Sequence, residues 1–574
     1  MDTSWSRRKV LVTAAALTAP TVLRPRSLLA QAAAPTTYTT TTAPYVEVET
    51  AQGRVRGGHS RGALAFKGIP YAGPVTGSAR FKEAPPPQPW SGVRDALQLG
   101  PPSLQGPGTT YGENEPAYSE NCLVLNVWTP AVKDKRNRSA AEGIPRSASG
   151  ATRGKRPVMV YCHGGGYVTG SGGSKDEDGS RLAATYDVVV VTTNHRLGLL
   201  GYLYLGELGG EEYATSGNQG LLDIVAALRW VKTNIEAFGG DPDNVMIFGE
   251  SGGGFKVGTL LAMPAAKGLF HKASIESGSS LRRVTKEDAT ETARRVLRAV
   301  GVGAHELHKL ANVPAETWVK LQMEAEQHKG PLFESSGAQG AQAAHASPII
   351  GPVVDGTILP RHPFDPDAPP TAAQIPLMVG CNHDEATFFE REHPEIFHET
   401  HDALIAKAHA VLGNDADRIL TTYRKAYPKA SPSELHIAIE TAISFGNDTI
   451  RLAERKSAQP APVYLYRYDY RSNTPIPGTD WGLRAGHATE IAMKFYNYDI
   501  PGLEGNGPGV AQASKNMSTF WTRFAHNSRP DAPGLPAWPR YDLERRATML
   551  IDVKCRVADD PDREIREMWA SLHR

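Results

Sequence analysis

Two periodicities alternate along most of the chain. Arg156–Tyr167 (RPVMVYCHGGGY) and Tyr186–Arg196 (YDVVVVTTNHR) hold unbroken apolar stretches rich in valine. Such runs predict strands covered on both faces. Leu221–Gly239 (LLDIVAALRWVKTNIEAFG) repeats its apolar positions at helical spacing and stops at Gly239-Gly240. Asn244–Glu250 (NVMIFGE) is strand-like again, with a helical run after it. Strand and helix alternating at this spacing predict a large, mostly parallel sheet with helices on its faces. Asn121–Pro130, Ile375–Asn382 and Ala461–Tyr470 add further strands. Val46–Phe66, with short alternating runs broken by glycines, predicts an antiparallel N-terminal hairpin. Residues 286–344 and 394–456 are helix-rich and charged, and predict a helical lobe over one side of the sheet. The chain from 45 to 574 reads as one α/β domain.

The N-terminus has a different pattern. Arg7-Arg8-Lys9 precedes a short, broken apolar stretch, and Ala30-Gln31-Ala32 offers a small-residue cleavage site. That order predicts a twin-arginine export signal over residues 1–32, with a periplasmic or extracellular mature protein; the alternative is a basic tail. Residues 33–44, rich in Thr and Ala, read as a disordered leader. No later stretch is apolar and long enough to span a bilayer, so no membrane insertion is expected of the mature form.

Charge removes other partners. Lys and Arg total 62 and Asp and Glu 61, so no net field draws in nucleic acid. The basic stretch 133–156 lacks interleaved aromatics and reads as a solvated loop. Four cysteines in 574 residues do not make a disulfide scaffold. His393, His398, Glu399 and His401 lie close together but lack the spacing that puts two histidines one helical turn apart, and read as a solvated helix start. No metal or other cofactor is expected.

The chemistry concentrates at Gly249-Glu250-Ser251-Gly252-Gly253, which fits G-x-S-x-G between a strand and a helix. A turn that sharp brings the residues two before and two after the serine together, where only glycine avoids collision. It holds the Ser251 hydroxyl at the top of the sheet, with the following helix aiming free N–H groups at the same place. A phosphate-binding loop is the alternative, but no Lys-Ser/Thr follows the glycines. His163-Gly164-Gly165-Gly166 ends an earlier strand. Its bare amides at Gly165 and Gly166, with that of Gly252, suit an oxyanion hole.

With these motifs in place, the chain resembles the type-B carboxylesterase/cholinesterase family of the α/β-hydrolase fold. The likeness runs from about Val46 to Asp542 through FKGIPYA, SENCLVLNVWTP, HGGGYVTGSG, NHRLGLLGY, GPVVDGTILP, GCNHDEATFF and FWTRFAHNSRPDAPGLPAWPRYD. The resemblance implies Glu385 as the acid, in a stretch where Ala386 replaces the usual glycine, with Asp384 and Asp355 as competitors. It implies His487, in AGHATE, as the base. Glu250, beside the nucleophile, and Ser277, in IESGSS, are implied as supporting residues, with ordinary packing as the alternative. The family often bridges the cysteine matching Cys122 to one upstream, but only Ser103 stands near the expected partner position. The loop 104–121 lacks the tryptophan that cholinesterases use for quaternary ammonium.

These residues predict a secreted serine carboxylesterase, a monomer or homodimer, that hydrolyses small carboxylic esters through an acyl-enzyme. Activity is expected to fall as His487 takes up a proton near the unperturbed imidazole value of about 6.5. A relative specialised for an amide, carbamate, lactone or polyester is a second reading. A non-catalytic binding protein is a third, opposed by the presence of all three triad residues.

Overall fold

The computed structural model describes residues 45–106, 115–132, 155–326 and 350–572. The N-terminal signal and leader expected from the sequence lie outside these residues, as does most of the basic stretch 133–156.

Among the described residues, thirteen strands build one sheet. In chain order they are β1 (Val46–Thr50), β2 (Gly53–Ser60), β3 (Ala63–Pro70), β4 (Val93–Asp95), β5 (Val124–Thr129), β6 (Arg156–Cys162), β7 (Val189–Thr193), β8 (Gly240–Glu250), β9 (Lys272–Glu276), β10 (Leu377–Asn382), β11 (Val463–Tyr468), β12 (Ala547–Ile551) and β13 (Arg556–Asp559). Seven of them, in the order β7-β6-β8-β9-β10-β11-β12, run parallel. The flanks are antiparallel: β1, β2, β3 and β5 form a meander against β7, and β13 closes the other edge. The predicted hairpin is thus the first part of a longer meander.

Period-two alternation separates two cores. Val158, Val160, Val245 and Ile247 face one side, where α1 (Gln219–Asn234) packs. Met159, Tyr161, Met246 and Phe248 face the other, under α4 (Val510–Asn527); α2 (Gly252–Leu260) and α3 (Pro432–Thr441) lie between α1 and α4 in the chain. Both faces are covered, so the central strands are apolar throughout rather than alternating. The helix α1 ends where a turn of tighter helix runs into Gly239, whose φ of 80° only glycine adopts without strain.

The sheet also decides where a site can form. After β6 the chain moves outward to β7, then returns to the opposite side of β6 as β8. Connections therefore diverge between β6 and β8, leaving a crevice at their carboxyl ends. The register pairs Cys162 with Gly249 and Glu250 with Glu276. His163 and Ser251, the first residues after β6 and β8, therefore leave adjacent strands within one residue of the same level.

Candidate active site

Ser251 sits between β8 and α2 at φ 55°, ψ −123°. A side chain held at positive φ costs about 1–3 kcal/mol and persists only where its surroundings enforce it. The enforcing contacts are close backbone approaches. A Cβ on Gly253 would lie 1.9 Å from the Cys162 carbonyl oxygen, and one on Gly252 would lie 2.3 Å from the Gly166 nitrogen. The elbow and the glycine loop are therefore packed backbone to backbone. The Ser251 N–H donates to Glu276 O at 2.9 Å, which fixes the elbow to β9.

The glycine loop turns through φ 81° at Gly165 and 61° at Gly166. Two of its carbonyls are held by donors. Gly165 O accepts the N–H groups of Val168 and Thr169 at 3.2 and 3.0 Å. Gly164 O lies 2.9 Å from His163 Nδ1, and because a carbonyl can only accept, that nitrogen carries the ring proton. Among the described residues, the N–H groups of Gly165, Gly166 and Gly252 have no partner.

His487 and Glu385 meet from separate late segments. Glu385 follows β10, and its Oε1 accepts the Asn382 N–H at 2.7 Å. Its Oε2 lies 2.6 Å from His487 Nδ1. The other ring nitrogen, Nε2, stands 3.2 Å from Glu250 Oε1. Among the described residues, no hydrogen bond joins Ser251 Oγ to His487. The serine and Glu250 nevertheless face one point: a Cβ on Gly164 would lie 3.2 Å from Glu250 Oε2 and 3.6 Å from Ser251 Cβ. Phe389 and Phe445 flank the imidazole with ring centroids 4.8 and 4.9 Å away.

Electrostatics here depart from the sequence expectation. Burial disfavours a charged imidazole, but Glu250 and Glu385 outweigh it and raise His487 to about 9 instead of leaving it near 6.5. Burial raises Glu250 to about 8. Burial also raises Glu490, whose Oε2 accepts Asn382 Nδ2 at 2.7 Å. Lys494 pairs with Glu276 and, at 3.6 Å, with Glu490. Glu250, Glu276, Glu385, Glu490 and Lys494 are all buried. Sequence reasoning did not single out Glu276, Glu490 and Lys494. Two signals were available, a glutamate closing an apolar strand in KASIE and an acid–base pair four residues apart in EIAMK.

Other candidates fall elsewhere. Asp384, held at about 2 mainly by His383 against the effect of burial, makes a 3.0 Å contact with that neighbour. Asp355 accepts the N–H groups of Thr357 and Leu359 and the Asn218 amide, which makes it a turn residue. Ser277 Oγ is buried and, among the described residues, makes no hydrogen bond. Its backbone N–H donates to Gly380 O on β10. Glu399 takes contacts from His436 at 2.7 Å and Lys407 at 2.8 Å. Among the described residues, no group of three or more His, Cys, Asp or Glu is arranged to hold a metal ion. The four cysteines are buried free thiols, and Ser103 lies against that of Cys122. No helix among the described residues is long and apolar enough to cross a membrane.

The profile of the carboxylesterase family matches residues 44–569. The chain belongs to the carboxylesterase family. It is 36% identical over 533 residues to para-nitrobenzyl esterase of Bacillus subtilis (strain 168), covering 91% of this chain and 97% of the relative. Liver carboxylesterase of Sus scrofa is 31% identical over 559 residues, covering 92% of each. The crystal structure of the Geobacillus stearothermophilus carboxylesterase EST55 superposes with a TM-score of 0.74 at 36% identity, covering 91% of this chain and 99% of that one. The fold is accordingly that of an α/β-hydrolase, and the chain is a carboxylic ester hydrolase.

Proposed function

We propose that this carboxylesterase works through an acyl-enzyme on Ser251, with His487 as base, Glu385 as its orienting acid and the amides of Gly165, Gly166 and Gly252 as the oxyanion hole. The observation that carries the reading is the 2.6 Å contact from Glu385 to His487 Nδ1, which leaves Nε2 turned toward the elbow that bears Ser251.

The chemistry follows from the donors. Glu385 Oε2 accepts from Nδ1–H, so the neutral ring presents an unprotonated Nε2. Nε2 takes the serine proton as Oγ attacks the ester carbonyl. The carbonyl oxygen gains charge where unpartnered backbone N–H groups wait, and losing one such donor typically costs about 3–4 kcal/mol. Collapse expels the alcohol, protonated by His487, and water repeats the sequence on the acyl group. Because the neighbouring carboxylates raise His487 to about 9, the neutral ring this step needs is expected to accumulate as pH rises.

The test is a p-nitrophenyl ester panel of increasing acyl length, with a p-nitrobenzyl ester added because the Bacillus subtilis relative bears that name. Stoichiometric labelling of Ser251 by an organophosphonate is expected, together with loss of turnover in Ser251→Ala. Full turnover in Ser251→Ala overturns the reading. Absence of both labelling and turnover on every ester favours a binding role.

Export through the twin-arginine route is part of the same proposal. Its support is the order Arg7-Arg8, apolar stretch, Ala30-Gln31-Ala32. N-terminal sequencing of protein from an export-competent host is expected to find a start near Ala33, with Arg7→Lys/Arg8→Lys retaining the precursor in the cytoplasm. A mature chain that keeps residues 1–32 overturns it.

A further inference from the structure

Behind the glycine loop lies a buried ammonium that the mechanism above does not use. Lys256 is in α2, five residues after Ser251, and is fully buried. Among the described residues no carboxylate lies within ion-pair distance of it. Its neighbourhood is polar but weakly charged. His163 and His195 stack with centroids 4.5 Å apart, and the Cys162 thiol and the Glu177 carboxyl are the remaining titratable groups near it. An unpaired ammonium out of water is costly, whereas an apolar side chain at this helix position would bury freely. Burial pushes Lys256 down to about 7, the response of a lysine kept out of water.

The contact that distinguishes lysine from an apolar residue is at Nζ, which donates to His163 O at 2.9 Å. That carbonyl is the first of three in succession that a donor holds. Lys256 holds His163 O, the His163 ring holds Gly164 O, and the Val168 and Thr169 N–H groups hold Gly165 O. Each peptide plane fixes a carbonyl and the next residue's N–H in opposite directions. Each held carbonyl therefore also fixes the N–H of the residue after it, Gly164, Gly165 and Gly166 in turn. Glycines have no side chain to resist a peptide flip, so the orientation depends on these hydrogen bonds.

We propose that Lys256 is a positioning residue for ester hydrolysis: by holding the His163 carbonyl it anchors the first peptide of the Gly164–Gly166 loop, and through it the Gly165 and Gly166 donors that follow. This rests on the loop being the oxyanion hole, as proposed above. Because the donors count only when charge develops on the carbonyl oxygen, the effect belongs to kcat and to transition-state analogues rather than to KM.

The test compares wild type, Lys256→Met and Ser251→Ala on p-nitrophenyl butyrate, with active sites counted by phosphonate titration. A trifluoromethyl ketone, whose serine adduct carries the oxyanion, supplies the analogue. Lys256→Met is expected to lower kcat per titrated site about 30-fold, weaken the ketone by a similar factor and leave KM within about twofold. A per-site kcat and ketone affinity within about twofold of wild type overturn the proposal, even if thermal stability falls. Should Met at 256 yield no folded protein, Lys256→Gln is read by the same two numbers. A wild-type crystal structure with the ketone bound needs no variant: the hemiketal oxygen is expected on Gly165 and Gly166 N–H with the Lys256–His163 bond intact, and a His163 carbonyl turned off Lys256 overturns the proposal. Activity surviving in Ser251→Ala would sink the catalytic reading itself. A dead Ser251→Ala beside an unaffected Lys256→Met sinks only this inference.

Discussion

Replacing Glu250 by Gln removes one negative charge 3.2 Å from His487 Nε2 and changes little else in volume. With an effective dielectric constant of about 20, Coulomb's law gives about 5 kcal/mol for that separation, or close to 4 pH units if the carboxylate were charged throughout. The real effect is smaller. Glu250 holds its own proton up to about 8, so it is ionised only through the upper part of the titration. Glu385 remains at 2.6 Å and keeps its share of the upward pull. Together the carboxylates lift His487 from the ordinary 6.5 to about 9 against burial. Losing one of the two returns about 1–2 units of that rise. The sign follows from the role: a protonated imidazole cannot accept the serine proton, so activity is lost as pH falls through the His487 value, and lowering that value moves the acid limb to lower pH. The assay is kcat/KM for p-nitrophenyl butyrate from about pH 5 to about pH 10, read at the isosbestic wavelength of the product, because this ratio reports the free enzyme's groups. An acid limb in Glu250→Gln that stays in place or moves upward, in protein still labelled at Ser251, refutes the electrostatic argument.

Glu385→Gln keeps the shape of the acid but removes the charge that selects the ring tautomer; kcat is expected to fall about 10³–10⁴-fold with KM little changed, measured by steady-state kinetics. Gly253→Ala puts a methyl group 1.9 Å from the Cys162 carbonyl, a backbone atom with nowhere to move. Loss of about 3–5 kcal/mol or of folded protein is expected, and a urea midpoint equal to wild type would contradict the elbow geometry. Asp223→Ala strips the bidentate partner from buried Arg196, whose Nε and Nη2 lie 2.8 and 2.6 Å from the carboxylate. An uncompensated guanidinium is expected to cost about 3–5 kcal/mol, seen as a lower urea midpoint.

The fold was legible in the chain wherever an element carries its own period. The valine runs of β6 and β7 and the helical spacing of α1 sit within a few residues of their expected bounds. The short strand β9 (KASIE) and the closing pair β12 and β13 were not anticipated. Lys272 and Glu276 interrupt the apolar run of β9 at both ends. Their burial becomes acceptable only because Asn244 and the Ala525 carbonyl meet the lysine, and Lys494 meets the glutamate.

The site divides along the same line. Local geometry is written locally: glycines on both sides of Ser251, and three more after His163, mark backbone turns that side chains would obstruct, and this is visible without coordinates. Long-range electrostatics is not. Residues 250, 276, 385, 490 and 494 belong to four separate segments, and nothing in any one segment states that they share a buried volume. Their proton affinities depend on distances that packing alone sets, so His487 rests well above an ordinary histidine. Lys256 is the mixed case. A lone charge in the apolar run GGGFKVGTLLAM is plain in the sequence, but the carbonyl it holds lies 93 residues away along the chain, and only the crevice between β6 and β8 brings the two together.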